Sequence, residues 1–161
     1  MPRVTPFRAA LAITLIAFAT IAGAWIFEAF GYLPCELCLK QRWAYYVGVP
    51  LAALATAIAA RSAHFARPLL WLLALLFVGS MVFGIYHSGV EWGFWPGPTT
   101  CTGAGTTAGS MDDFMKQLQT TQVVQCDKVA IRILGLSLAG WNAVISACMA
   151  AVAVTGARAK A

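Results

Sequence analysis

Cys35 and Cys38 are separated by two residues, Glu36 and Leu37, and Arg42 follows four positions after the second cysteine. Two thiols at this spacing close a short disulfide ring or supply half of a tetrahedral metal site, and the spacing alone does not choose. A second pair, Cys101 and Cys126, lies in a separate polar stretch, and Cys148 lies in an apolar run. Four cysteines permit three pairings; local spacing favours Cys35 with Cys38 and Cys101 with Cys126. The second bridge would close a glycine-rich stretch, where loop-closure entropy gives it a stabilising role of about a few kcal/mol. The first closes too small a ring to stabilise much in that way, so thiol–disulfide exchange is its sharper explanation.

Exchange requires a thiolate. Backbone N–H groups at the start of a helix, with Lys40 and Arg42 nearby, would stabilise one on Cys38, and Glu36 would oppose it. Cys38 and Arg42 share one helix face. An arginine at the head of an apolar run buries its stem and keeps its guanidinium at the interface. There it could pair with a thiolate or donate to a carbonyl oxygen of a lipid-soluble molecule; the plainer role is that of an anchor for the helix. Metal ligation is the rival chemistry, with Cys101, Cys126 or His87 completing a site. No second close-spaced ligand pair exists, so no metal is expected. No phosphate loop, zinc-protease motif or glycosidase-type acid pair is present. Cys148, among Ala and Ser, reads as a small packing residue.

The elements that must position these groups are apolar. The 161-residue chain is 60% hydrophobic and 11% charged, against about 25% charged for a soluble globular domain. Residues 9–27, 43–60, 68–90 and 133–156 contain no Asp, Glu, Lys or Arg. Each is close to the roughly 17 to 25 residues that cross a bilayer as a helix. The runs are continuous rather than alternating, which excludes a transmembrane barrel. Arg3 and Arg8 precede the first run as in a signal peptide, but its apolar core is longer than that of such peptides. It is expected to stay as a helix.

Four spans place both termini on one side. Arg3, Arg8, Arg61, Arg67, Arg158 and Lys160 fall in the termini and the middle connection, 61–67, whereas all six acidic residues fall in segments 28–42 and 91–132. The basic side reads as cytoplasmic and the two cysteine-bearing loops as facing outward. The net charge of +5 therefore reflects topology, and without a basic patch interleaved with aromatics nucleic acid is not an expected partner. The expected fold is an all-α membrane protein: a four-helix transmembrane bundle forming a single domain over 1–161. The short 61–67 connection makes the second and third helices antiparallel neighbours, and Pro68 suits a helix start. In the second outer loop Ser110 could cap a short amphipathic helix carrying Met111, Phe114, Met115 and Leu118, able to rest on the membrane interface.

Taken in order, these motifs resemble the disulfide bond formation protein B family, quinone-dependent enzymes of the bacterial inner membrane that reoxidise a soluble periplasmic thiol oxidase. The resemblance rests on Pro34-Cys35-Glu36-Leu37-Cys38 with Gln41-Arg42, Tyr86-His87 with Gly89-Val90-Glu91, and Pro96-Gly97-Pro98-Thr99-Thr100-Cys101. Cys126-Asp127 and the segment from Gly135 to Trp141-Asn142 complete it. It implies that Cys101 exchanges with a DsbA-like thioredoxin-fold partner in the periplasm and that Cys126 resolves the mixed disulfide, passing through a link with Cys35. It further implies that Cys38 lies next to the quinone ring, that Arg42 holds a quinone carbonyl, and that His87 lies near the quinone pocket. The implied cofactor is ubiquinone, with menaquinone as the alternative, and the implied setting is a multi-pass inner-membrane protein in contact with lipid. Vitamin K epoxide reductase-like enzymes also combine four spans with C-x-x-C, but on a later span. A scaffold with two structural disulfides is the non-catalytic alternative.

Overall fold

The computed structural model describes residues 4–98 and 125–159. Cys101 and the amphipathic piece at 111–118 lie outside the described residues. Helix α1, Pro6–Ala29, opens with Pro6 in its first turn and with Thr5 as cap, whose hydroxyl accepts from the Arg8 N–H at 3.3 Å. Helix α2, Glu36–Ala59, starts well ahead of the apolar run at 43, because its polar first turn is held by the Glu36–Lys40 ion pair at 2.7 Å and capped by Cys35. Helix α3 spans Ala63–Glu91. Pro68 lies inside α3 rather than at its start, since the chain becomes helical directly after Ser62. The α2–α3 connection is therefore only residues 60–62, shorter than the sequence suggests.

The expected fourth run, 133–156, divides. Strands β1, Arg132–Ile133, and β2, Leu136–Ser137, pair antiparallel, with Arg132 opposite Ser137. Their turn uses Leu134 and Gly135, with φ of 53° and 85°, the left-handed pair of a tight hairpin. This hairpin is a small departure from an all-α fold. Helix α4, Leu138–Arg158, follows at once, and its cap Ser137 accepts from the Gly140 N–H at 3.1 Å.

The chain is mostly α-helical. Helices α1, α3 and α4 are long and apolar enough to cross a membrane, with mean hydropathies of 2.2, 2.3 and 1.7. Helix α2 has 24 residues, but its charged opening turn, Trp43, Tyr45, Tyr46 and Pro50 dilute its apolar character. Outward faces are apolar: Leu15, Phe18, Trp43 and Leu75 are 58–70% exposed, a pattern suited to lipid and unfavourable in water. Inside, the helices meet through small residues. A Cβ on Gly156 would lie 2.3 Å from the Ala9 Cβ, and one on Gly84 would lie 3.0 Å from the Ala143 backbone, so α4 closes on α1 and α3 as small residues allow in membranes. Tyr45 of α2 donates to Asn142 Oδ1 of α4, and Ser146 of α4 bonds Ser80 of α3 at 3.0 Å. These bonds fix the relative heights of three helices beneath the dithiol.

Candidate functional site: a buried dithiol beside an apolar cavity

Cys35 caps α2 in an extended conformation, and its sulfur accepts the Cys38 backbone N–H at 3.2 Å. The two thiols are free, with their sulfurs 2.8 Å apart. His87, buried near the C-terminal end of α3, brings Nε2 to 3.6 Å from the Cys35 sulfur, while its Nδ1 meets Gln41 Nε2 at 3.0 Å. With the Gln41 amide donating to Nδ1, the ring proton sits on Nε2 and faces Cys35.

As a thiolate, Cys35 accepts from the Cys38 thiol, the Cys38 N–H and the His87 ring. Both sulfurs precede the apolar run of α2. The Cys38 hydrogen bond is the main cause that pulls the Cys35 thiol down from 9.0 to about 5; burial opposes it and His87 assists. Cys38 is pushed strongly up, first by donating to Cys35 and then by burial. The charge therefore rests on Cys35, not on Cys38 as the helix-start argument suggests. The unpaired N–H groups of a helix start converge on the cap residue, and Cys35 occupies the cap.

Arg42 also differs from expectation in its partner. Its guanidinium donates to Glu28 Oε2 at 2.6 Å and to the Ala24 carbonyl at 3.5 Å, tying α2 to the end of α1. Arg42 and Cys38 nonetheless share a wall of one cavity of about 350 Å³, with Thr20, Tyr32, Gln41, Tyr45 and Asn142 as its other polar residues and Ile21, Phe27, Trp141 and Ile145 among the apolar ones. Asn142 is 8% exposed, and its Nδ2 has no partner among the described residues. A buried amide donor without an acceptor costs about 1–3 kcal/mol, so the cavity wall favours a ligand that brings one.

Glu91, one turn beyond His87, has Oε1 4.0 Å from His87 Nε2 and a side chain 7% exposed. Burial pushes its carboxyl above the ordinary range, and the nearby Ser137 hydroxyl opposes that shift. Trp95 stacks on Tyr86, with centroids 6.0 Å apart, and its Nε1 donates to the Tyr86 carbonyl at 2.9 Å. Gly89 permits this: a Cβ there would lie 2.1 Å from the Trp95 ring. Cys126 is disulfide-bonded and 2% exposed, and it packs in one cluster with Cys35, Leu37 and Val90.

The structure therefore gathers Cys35, Cys38, His87 and Cys126, places Arg42 at the cavity, and leaves Cys148 exposed on α4 rather than packed inside. Residues not singled out for a role in the sequence reading include Glu28, Gln41, Glu91 and Asn142. Gln41 and Asn142 stand inside quoted motifs, Glu91 follows His87 by one helical turn, and Glu28 is the acid that ends the first apolar run. Each was a readable signal without a readable partner.

Comparison with known proteins identifies the family. A protein of Rickettsia prowazekii (strain Madrid E), described as uncharacterised, is 29% identical over 142 residues, covering 86% of this chain and 80% of its own. A disulfide bond formation protein B from Albidiferax ferrireducens is 26% identical over 148 residues, covering 89% of this chain and 79% of its own. No solved structure matches the chain significantly. The profile of the disulfide bond formation protein DsbB family matches residues 6–156, and with the dithiol, histidine and cavity in place the chain belongs to that family.

Proposed function

We propose that the chain is a protein dithiol:quinone oxidoreductase of the bacterial inner membrane that reoxidises a soluble periplasmic thioredoxin-fold thiol oxidase. The observation that carries this reading is the position of Cys38. Its sulfur is 2.8 Å from that of Cys35, and it shares with Arg42 the wall of an apolar cavity of about 350 Å³, a volume that suits a small ring system. Arg42 and the unpaired Asn142 amide are two donors on the cavity wall that suit carbonyl oxygens, so the residues present fit a quinone head group. When bound, ubiquinone or menaquinone supplies the two-electron acceptor.

Electrons move inward through exchange. The partner's two thiols reduce a Cys101–Cys126 disulfide and become a disulfide. The resulting thiols reduce a Cys35–Cys38 disulfide through a transient Cys126–Cys35 link and re-form the Cys101–Cys126 disulfide; of their two protons one ends on Cys38 and one in solvent. The packing of Cys126 with Cys35 in one cluster supports that order. Reduction leaves the thiolate on Cys35, where the His87 N–H and Cys38 hold it. The Cys38 thiol, beside the cavity, donates to that thiolate, so its proton has a nearby acceptor when electrons leave. Arg42 balances negative charge at the cavity mouth. The dithiol loops face the periplasm and both termini the cytoplasm, as the Lys and Arg distribution favours, and α2 completes four spans.

Trapping tests the order of exchange. In a Cys126→Ser variant, the free Cys101 thiol is expected to attack the disulfide of the oxidised partner, releasing one partner thiol and accumulating a mixed disulfide on Cys101; accumulation on Cys35 would overturn it.

A further inference from the structure

Cys35 Sγ, Cys38 Sγ and His87 Nε2 lie within 4.8 Å of one another, and Glu91 Oε1 lies 4.0 Å from the same imidazole nitrogen. The imidazole N–H already serves the Cys35 thiolate, but nothing in the exchange uses the Glu91 carboxylate beside it. Glu91 supplies a second observation: its side chain is 7% exposed, and its Oε2 has no partner among the described residues. Burial pushes this carboxyl above its ordinary range, and a cation beside it would hold it in the charged form.

We propose that the reduced dithiol is a zinc-binding site in which the Cys35 and Cys38 thiolates, His87 Nε2 and the Glu91 carboxylate form a tetrahedron. Zinc bonds of about 2.3 Å to sulfur and about 2.0–2.2 Å to nitrogen and oxygen set tetrahedral edges of about 3.8 Å for S–S, about 3.5 Å for S–N and about 3.4 Å for N–O. The 3.6 Å Cys35–His87 separation already matches. Glu91 stands outside the 4.8 Å group of the two sulfurs and the imidazole, so its carboxylate must swing inward to complete the tetrahedron, and the 2.8 Å sulfur separation needs the partly exposed Cys38 side chain to turn outward by about an ångström.

Binding is a proton exchange without electron transfer. The dithiol gives up its remaining thiol protons to solvent as two Zn–S bonds form. The imidazole ligates through Nε2, so its proton moves to Nδ1, and the Gln41 amide turns its oxygen to accept it. Gln41 is thus the outer partner that orients the histidine ligand. Oxidation to the disulfide removes two of the four ligands, so the ion binds the reduced enzyme alone and holds it out of turnover. Soft sulfur ligands with one imidazole select zinc over magnesium or calcium. This site rests on the donor geometry alone and is independent of which molecule accepts the electrons.

The test uses full-length detergent-solubilised protein carrying Cys101→Ser and Cys126→Ser, so that Cys35 and Cys38 are its only thiols outside the apolar run of α4. The reduced protein is titrated with Cd²⁺, read by its sulfur-to-metal ultraviolet charge-transfer band, and Zn²⁺ then competes. One ion per chain is expected, with no band after oxidation of the dithiol and affinity at least tenfold weaker in His87→Ala and in Glu91→Gln. Full affinity in both variants would leave a bare dithiol chelate and overturn the proposal; so would a band that persists in the oxidised protein. In the natural sequence, which needs no substitution to fold, Zn²⁺ is expected to protect reduced Cys38 from maleimide at least tenfold. Unchanged labelling would also overturn it.

Discussion

Cys35 at the cap of α2 and His87 near the end of α3 are joined by a 3.6 Å contact between Sγ and Nε2. The two residues are 52 positions apart in sequence, and their contact makes the dithiol's surroundings a property of two helices rather than of one short motif. It also locates the negative charge. A histidine held by Gln41 from behind presents its proton to the first cysteine, while the second remains a thiol facing the cavity.

The charge on Cys35 sets a pH dependence. Iodoacetamide labelling of Cys35 in the reduced protein is expected to be flat from pH 9 down to about 6 and to fall about tenfold per unit below about 5, following the lowered thiol. In His87→Ala the fall begins at a higher pH. A labelling curve centred near 9 would contradict the assignment.

Stability of the reduced form follows the same linkage. Between about 5 and 9 the unfolded chain binds the Cys35 proton and the folded one does not, so stability rises with pH over that window and is lost as pH falls through about 5. Above 9 the unfolded chain releases the Cys38 proton, which the folded chain keeps, so stability falls again. The difference in Tm between reduced protein and Cys35→Ser, followed from pH 5 to pH 10, is expected to peak near 9. A flat difference would contradict this.

The Glu28–Arg42 pair, 2.6 Å apart, competes with any acceptor brought into the cavity. Glu28→Gln frees the guanidinium and is expected to lower the quinone KM about threefold or more, a modest change in keeping with a half-exposed ion pair. Arg42→Ala is expected to raise KM at least tenfold, the loss of one charge-assisted hydrogen bond. Equal KM values in steady-state kinetics for both variants and the natural protein would remove Arg42 from the site.

Asn142 offers the second donor. Asn142→Leu removes an unpaired amide but also orphans the Tyr45 hydroxyl, so Tyr45→Phe/Asn142→Leu is the cleaner variant. It is expected to fold with a Tm near that of the natural protein and to bind quinone about tenfold more weakly, measured by equilibrium titration. Unaltered affinity would show that this amide meets no ligand.

Gly89 lets the Trp95 ring lie against α3. Gly89→Ala places a methyl 2.1 Å from that ring and is expected to cost about 1–3 kcal/mol through overpacking, with a changed Trp95 fluorescence and slower reaction with the partner. Loss of stability without a change at Trp95 would place the strain elsewhere.

The helices were legible because long uncharged runs have few other solutions, and the dithiol was legible because it is local in sequence. The polar start of α2 was hidden: Glu36 and Lys40 look like loop residues until their i,i+4 pairing is seen. The hairpin before α4 was hidden in an apolar run, since only Leu134 and Gly135 mark its turn. The site's partners were less legible still. Nothing local says that Arg42 meets Glu28, that Gln41 backs His87, or that Cys126 packs beside Cys35, because each pairing depends on how separate elements are placed. The location of the thiolate turned on one detail, which cysteine is the cap.

The most direct measurement mixes purified protein with a reduced thioredoxin-fold oxidase and excess quinone and follows quinone absorbance. The natural sequence is expected to turn over repeatedly, with one partner disulfide formed per quinol, and Cys38→Ser to lose at least about a thousandfold in rate, as removal of a reacting nucleophile does. No quinone reduction by the natural sequence, or reduction by Cys38→Ser at the same rate, would contradict the account.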